Sequence, residues 1–227
     1  LLKNYSKPIY QSQLLSFIEL DLSGKKINDI SGLEHFRHLE VWNLANNFIS
    51  DLSPLRTLNN LQALNVSNNG ITDLEEAQFD ELTHIRLVEL NLSSSEILSS
   101  YGRKNRLSNI DLLSNFNELE VLVLSGNLIQ DLSALSNLTK LRELDLRENF
   151  IQDLSPLHNL RSLESLDLSR NKIGDISVLK DLNNLFSLNL RGNEIEDISP
   201  LNTLDQLEYL NLHSNEMLTS IKPLGGL

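Results

Sequence analysis

The chain of 227 residues contains no cysteine, which excludes disulfide bonds, thiolate metal ligands and cysteine nucleophiles. It has no apolar run long enough to span a membrane, so we expect no membrane insertion. Cations are scarce: 19 Lys and Arg residues oppose 31 Asp and Glu residues, giving a formal net charge of −12. Because nucleic acids and anionic membranes attract clustered Lys and Arg, this balance argues against both as partners.

The short motifs of common enzyme and cofactor sites are also missing. The sequence has no G-x-S-x-G, no H-E-x-x-H, no P-loop and no Rossmann glycine pattern. His35 and His38 have an H-x-x-H spacing, but no third ligand is evident, so exposed surface positions are favoured over metal ligation. We therefore predict a protein that is not an enzyme and that has no metal site and no cofactor.

Leucine, in contrast, is abundant and regularly spaced. The repeating unit reads L-x-x-L-x-L-x-x-N-x-I-x-D-L-S-P-L-x-x-L-x-x, and nine copies of 22 residues, one of them irregular, cover nearly the whole chain. In the first copy Lys25 takes the place of the asparagine. The column of asparagines in the other copies comprises Asn47, Asn69, Asn105, Asn127, Asn149, Asn171, Asn193 and Asn215.

Each part of the unit predicts a local structure. The L-x-L segment alternates with period two, which predicts a short strand with one buried face. The Asn amide can both donate and accept hydrogen bonds, so it can satisfy backbone groups in a buried turn. Leucines then recur at intervals of three, which matches a 3₁₀ return path better than an α-helix. Residues suited to begin this path are Pro54, Pro156 and Pro200, with Asp51, Asp153 and Asp197 as preceding caps.

No single unit can bury its leucines alone, so the units must stack into a solenoid with one continuous core. The phrase N-x-I-x-D-[LI]-S-P-L at 47–55, 149–157 and 193–201 resembles the repeats of bacterial internalin-like leucine-rich repeat proteins. The resemblance covers about residues 17–227. It implies a right-handed α/β solenoid with a parallel concave sheet and 3₁₀ or irregular convex segments.

The same resemblance implies a module that binds a protein ligand, on a bacterial surface or secreted. Because this repeat type also occurs in cytoplasmic bacterial signalling proteins, a cytoplasmic sensor or regulatory domain is one alternative. A structural spacer is another. The sequence does not name the ligand, and we expect a monomer.

Three segments depart from the regular unit. Residues 1–16 are a flank or partial cap before the repeat domain of 17–227. Asn69 and Asn105 are 36 residues apart rather than 22, which leaves 14 extra residues. Four of these fall in 73–86, where the spacing of apolar residues predicts a true helix on the convex side. The other ten predict a loop, 95–104, inserted at the rim of the concave face.

The chain stops partway through a unit, so we expect the natural protein to continue beyond it.

Outward-facing strand positions supply the candidate binding site. Asp145 and Asp167 are predicted cross-strand neighbours whose like charges repel, and we expect Arg147 and Arg191 to compensate them. Tyr and Arg are enriched at binding hot spots. The predicted mixed-charge patch comprises Glu143, Asp145, Arg147, Asp167, Arg191, Tyr209 and His213.

Two further groups complete the candidate site. Val121 and Val123 face outward on one strand and predict an apolar contact beside the inserted loop. The loop itself has a basic tip on an otherwise acidic protein, which suggests a role in binding. The alternative is an insertion without function that arose by drift, because loops tolerate insertions. The residues of this tip are Tyr101, Arg103, Lys104 and Arg106.

Overall fold

The computed structural model describes residues 18–95 and 104–226. The predicted flank 1–16 and most of the inserted loop therefore lie outside the described residues. Within them, each unit contributes one strand of three residues, and each strand pairs in parallel with the next to form a single sheet. The strands β1 to β9 are Glu19–Asp21, Val41–Asn43, Ala63–Asn65, Glu89–Asn91, Val121–Val123, Glu143–Asp145, Ser165–Asp167, Ser187–Asn189 and Tyr209–Asn211.

The strands pair so that equivalent positions of successive units lie side by side. Leu144 at the centre of β6 lies opposite Leu122 of β5 and Leu166 of β7. These leucines are buried, whereas their neighbours in each strand face outward. Trp42 takes the leucine position in β2, where it is 1% exposed and packs edge-on against Phe36. This arrangement confirms the predicted solenoid with one continuous core.

The return path of each described unit contains a short 3₁₀ helix, as the spacing of three predicts. Asp51 caps one of these helices by accepting a hydrogen bond from the N–H of Ser53 at 2.8 Å, and Pro54 lies in its first turn. Within the described residues the helices are Leu33–His35, Ser53–Thr57, Phe79–Leu82, Asp111–Asn115, Ser133–Leu135, Ser155–Asn159, Ser177–Asp181, Ser199–Thr203 and Lys222–Gly226.

Residues 73–86 differ from the true helix predicted for them. They form turns followed by the 3₁₀ helix Phe79–Leu82. Gln78 adopts a left-handed conformation with φ of 56°, and such a residue interrupts a right-handed helix. The longer segment instead reaches inward, where the ring of Phe79 packs 5.2 Å from that of Phe116. Packing against the next unit thus prevails over local spacing.

The asparagine column lies inside the turn and joins neighbouring units. Asn149 accepts a hydrogen bond from the N–H of Ile129 at 3.0 Å, one unit back. Its amide group donates to the carbonyl oxygens of Leu124 at 3.1 Å and Leu146 at 3.0 Å. One buried side chain therefore satisfies backbone groups of two successive units.

Asn105 makes the same bonds on the far side of the extra residues. It accepts from the N–H of Ile71 at 2.9 Å and donates to the carbonyl of Leu92 at 3.0 Å. Ser94 N–H donates to the carbonyl of Ser125, as the residue before each asparagine does in regular units. Ser94 and Asn105 thus hold adjacent positions of the repeating unit, and residues 95–104 fall between them.

Candidate functional site

Three columns of side chains face outward on the concave sheet, and the strand register aligns each column across all nine strands. The central column carries Asn or Asp in every strand except β5, where it carries Val123. The strand pairs bring together its members Asp21, Asn43, Asn65, Asn91, Val123, Asp145, Asp167, Asn189 and Asn211.

The polar members of this column fold back on their own backbone. Asp145 accepts a hydrogen bond from the N–H of Arg147 at 3.1 Å, and Asn189 accepts from the N–H of Arg191 at 3.2 Å. The same bond to the residue two positions later recurs from Asp21 to Asn211. Most of the column therefore stabilises the ends of the strands, so its composition alone does not indicate a ligand.

The adjacent carboxylates of Asp145 and Asp167 are compensated in different ways. Arg147 Nε lies 3.4 Å from a carboxylate oxygen of Asp145, as expected. Arg191 was also expected to compensate the pair, but it makes no ion pair within the described residues. Asp167 is satisfied instead by the hydroxyl of Ser169 at 2.6 Å and by Nδ2 of Asn189 at 3.0 Å. The guanidinium of Arg191 therefore stays exposed on the concave face.

Asp145 is the candidate-site residue with a clearly altered acidity. Burial raises its pKa above the ordinary aspartate value, and the charge of Asp167 adds to the rise. The N–H and guanidinium of Arg147 and the hydroxyl of Ser125 oppose the rise. A carboxylate in this setting favours its neutral form more than an exposed one does.

Part of the predicted charged patch lies along a groove over the strand ends of β4 to β9, with a volume of about 530 Å³. Arg147, Asp167 and Arg191 line this groove together with Arg170 and Glu148. We call it the charged groove. The other predicted members, Glu143, Asp145, Tyr209 and His213, lie on the same face outside its lining, and Tyr209 is 50% exposed.

Val121 and Val123 belong to a different depression, on the strands β1 to β5. Its volume is about 320 Å³, and Val41 and Ala63 complete its apolar lining. Glu89 also lines it, so this apolar groove is acidic at one edge. The structure thus separates the predicted valine contact from the charged groove, although both lie on the concave face.

Comparison with known families decides which class of solenoid this is. The family model described as Leucine Rich repeats (2 copies) matches residues 38–84, 139–181 and 183–226, which together exceed half of the chain. The chain belongs to the leucine-rich repeat family. No curated protein matched it significantly.

Solved structures of other leucine-rich repeat proteins resemble it closely. Internalin C2 of Listeria monocytogenes is 31% identical, with a TM-score of 0.79 over 90% of this chain and 84% of that one. The internalin InlF of the same organism is 27% identical, with a TM-score of 0.55 over 100% of this chain and 89% of that one. A leucine-rich repeat protein of Leptospira interrogans shares the fold at 24% identity and a TM-score of 0.71, over 94% and 58% of the two chains. The internalin-like resemblance of the sequence is confirmed.

Of the four residues predicted for the tip of the inserted loop, two lie among the described residues of this leucine-rich repeat domain. Tyr101 and Arg103 lie outside the described residues. Lys104 and Arg106 are exposed and line a cavity of about 430 Å³ at the edge where the strands end. Phe150 lines the same cavity. These cations therefore lie beside the concave face rather than over it.

Sequence reasoning missed two features of this edge. The residue before the asparagine adopts a left-handed backbone even where it is Glu148 or Arg170, with φ of 56° and 57°. Neither residue type marks such a conformation, so only their column, shared with Gly126 and Gly192, could have revealed it. The second feature is Phe150, which is 42% exposed beside a buried asparagine. Its place in the variable position after Asn149 was the available signal.

Within residues 18–95 and 104–226, no helix has the length and apolar character that a membrane span requires. The same residues bring together no group of three or more His, Asp or Glu side chains suited to hold a metal ion.

Proposed function

We propose that this leucine-rich repeat domain is a non-catalytic module that binds a protein ligand through its concave face. Leucine-rich repeat domains typically mediate interactions between proteins. The observation that supports a concave site in this chain is the charged groove, where the exposed guanidinium of Arg191 has no ion pair among the described residues. Arg191 and the half-exposed Tyr209 lie on the same face of the sheet, and both residue types are enriched at binding hot spots.

The two grooves suggest how one ligand is oriented. The apolar groove of Val121 and Val123 would take an apolar side chain of the ligand. The charged groove would take acidic or amide side chains at Arg147 and Arg191. These contacts lie on β5 and at the ends of β6 and β8. Because neighbouring strands are about 4.8 Å apart, a single protein surface can reach both grooves.

The test is capture of partners by crosslinking from bacterial and host-cell extracts. We expect a protein captured by the native chain to be lost with Arg147→Gln/Arg191→Gln. The matched control Arg161→Gln/Lys180→Gln removes two exposed cations from the return path and should capture it normally. Equal capture by both double variants, with their folds verified by circular dichroism, would contradict the proposal.

We also propose that the inserted loop contributes to binding, because Lys104 and Arg106 provide cations close to the charged groove. Deleting residues 95–104 joins Ser94 to Asn105, which already hold adjacent positions of the unit, so the solenoid should tolerate the change. Reduced capture by this variant is the expected result. Undiminished capture would remove the loop from the binding site without affecting the concave face.

The proposed location is the surface of a bacterial cell or the medium around it. The support is the likeness to internalin C2 and InlF of Listeria monocytogenes. Fractionation of the bacterium that produces the protein, with detection by antibody, tests this location. Recovery in the cytoplasmic fraction alone would favour the alternative of an intracellular sensor domain.

A further inference from the structure

The edge where the strands end carries a second ladder of backbone hydrogen bonds. The N–H of Leu128 donates to the carbonyl of Leu107 at 2.8 Å, and the N–H of Phe150 donates to that of Ile129 at 2.9 Å. The residues that follow the asparagines therefore form successive rungs along the solenoid. We call the four rungs Arg106, Leu128, Phe150 and Lys172 the edge strip.

The edge strip combines an exposed aromatic ring with positive charge. Phe150 is 42% exposed, and Lys172 Nζ lies 5.3 Å from the centre of its ring, within the range of a cation–π contact. Arg106, Leu128 and Phe150 line the cavity of about 430 Å³. Arg170 lines it too, held by an ion pair of 2.8 Å with Glu148. Four cations, counting Lys104, thus surround an accessible apolar centre in a chain whose net charge is −12, and Glu148 is the acidic residue of the cavity lining.

The opposite edge of the sheet provides a natural comparison. Phe186 lies just before β8 and is 44% exposed, almost the same as Phe150. Its N–H donates to the carbonyl of Glu164, and its own carbonyl accepts from the N–H of Glu208. Phe186 is therefore flanked by two acidic rungs, of which Glu164 is paired with Arg142 at 2.9 Å and Glu208 has no ion pair among the described residues, whereas Phe150 is flanked by an apolar and a basic rung. The two rings differ in surrounding charge rather than in exposure.

We propose that the edge strip is a docking surface for an acidic protein segment that carries an apolar side chain. The apolar side chain packs on Phe150 and Leu128, and the carboxylates of the segment pair with Arg106 and Lys172. Complementary charge selects this segment, because a basic segment is repelled here and attracted to the edge of Phe186. This surface lies beside the concave face and shares only Arg106 with the loop proposed above, so the assignment of Phe150, Leu128 and Lys172 does not depend on that ligand.

Synthetic peptides test the charge preference directly. The probes are Ac-EDEFEDEG-NH₂, its basic counterpart Ac-KRKFKRKG-NH₂, and the oligonucleotide dT₈, each titrated into the ¹⁵N-labelled chain. We expect the acidic peptide to shift the amide signals of Arg106, Leu128, Phe150 and Lys172, with the shifts weakening as salt is added. The basic peptide should shift those around Phe186 instead. Acidic-peptide shifts equal at both edges, or confined elsewhere, would overturn the proposal, and so would stronger shifts with dT₈ than with the acidic peptide.

Matched variants test which side chains carry the binding. Phe150→Ala and Lys172→Gln should each weaken binding of the acidic peptide about threefold to tenfold, the range expected for losing an apolar or cation contact. Phe186→Ala, which removes an equally exposed ring from the acidic edge, should leave that affinity unchanged. Lys172→Gln preserves the aromatic ring and therefore separates the charge effect from any loss of folding. Equal affinities for the native chain and both edge-strip variants would refute the assignment.

Discussion

At the scale of single residues, buried asparagine is what lets one unit stack on the next. Asn149 is 5% exposed, and its amide satisfies the N–H of Ile129 and the carbonyls of Leu124 and Leu146. These backbone groups lie in a turn that water does not reach. Their pairing therefore depends on a side chain that both donates and accepts, which leucine and alanine cannot do.

Asn149→Ala should accordingly lower the free energy of unfolding by about 2–3 kcal/mol, because it leaves buried backbone groups unpaired. Urea unfolding followed by circular dichroism measures the loss. Asn159→Ala is the control, since Asn159 is exposed on the return path. We expect that variant to stay within about 0.5 kcal/mol of the native chain. A comparable loss in both variants would contradict the role assigned to the asparagine column.

Asp145 gives a prediction whose magnitude depends on pH. Its pKa is raised in the folded state, chiefly by burial, so ionisation of this group destabilises the folded chain. Asp145→Asn should therefore be more stable than the native chain at neutral pH. That advantage should shrink as the pH falls through the raised folded pKa, and it should vanish below the unfolded value of about 3.9.

The control for this experiment is Asp197→Asn. Hydrogen bonds from the N–H and hydroxyl of Ser199 lower the pKa of Asp197, so its charge stabilises the folded chain at neutral pH. Its replacement should therefore destabilise the chain at pH 7, with the effect fading in acid. Chemical unfolding at a series of pH values measures both variants. The same sign for both would show that the environment of Asp145 is not what the structure indicates.

At the scale of elements, the backbone that follows β4 closely approaches Gly126, which follows β5. A Cβ atom added to Gly126 would lie 2.1 Å from the carbonyl oxygen of Ser94, whereas one added to Gly192 would lie 3.5 Å from the flexible side chain of Arg170. Both glycines have positive φ, 72° and 69°. The two positions thus share the backbone conformation and differ in the space around it.

Gly126→Ala and Gly192→Ala separate these two effects. The left-handed backbone costs each alanine about 1–2 kcal/mol. Gly126→Ala should lose at least about 1 kcal/mol more, because the backbone of Ser94 must move. Thermal and urea unfolding of the two variants measure the difference. Equal losses would indicate that the approach of Ser94 to Gly126 is looser than the structure has it.

Local sequence patterns predicted most of these elements for a physical reason. The L-x-L alternation and the leucine spacing of three are repeated in each unit, so every copy supports the same strand and 3₁₀ helix. The segment 73–86 occurs once, and its apolar residues fit several local structures. Packing of Phe79 against Phe116 decides among them, and that contact joins two adjacent units rather than neighbouring residues. A single sequence does not contain that information.

The candidate site was predicted less fully than the fold. The outward columns followed from alternation, so Asp145, Arg147 and Asp167 were placed side by side correctly. The pairing of Asp167 with Asn189 instead of Arg191 depends on side-chain rotamers, which alternation does not determine. The place of Phe150 beside Lys172 depends on the second backbone ladder, which no strand pattern marks.

At the scale of the whole molecule, the sign of the outward-facing charge changes from the start of the strands to their ends, rather than from one unit to the next. Outward acidic residues such as Glu89 and Glu143 begin their strands, whereas Arg147 and Arg191 follow theirs. The net charge of −12 therefore hides a basic rim along the end of the later strands. A protein bound as proposed to this surface would be oriented by the two opposite edges before close contacts form.

Hydroxyl-radical footprinting of the complex with a captured partner tests the concave site most directly. It measures how strongly the oxidation of each accessible side chain falls on binding. We predict that Tyr209 and His213 on the concave face become protected, while His158 on the return path, which is also exposed in the free chain, is oxidised as before. Protection of His158 with unchanged oxidation of Tyr209 and His213 would contradict a concave binding site.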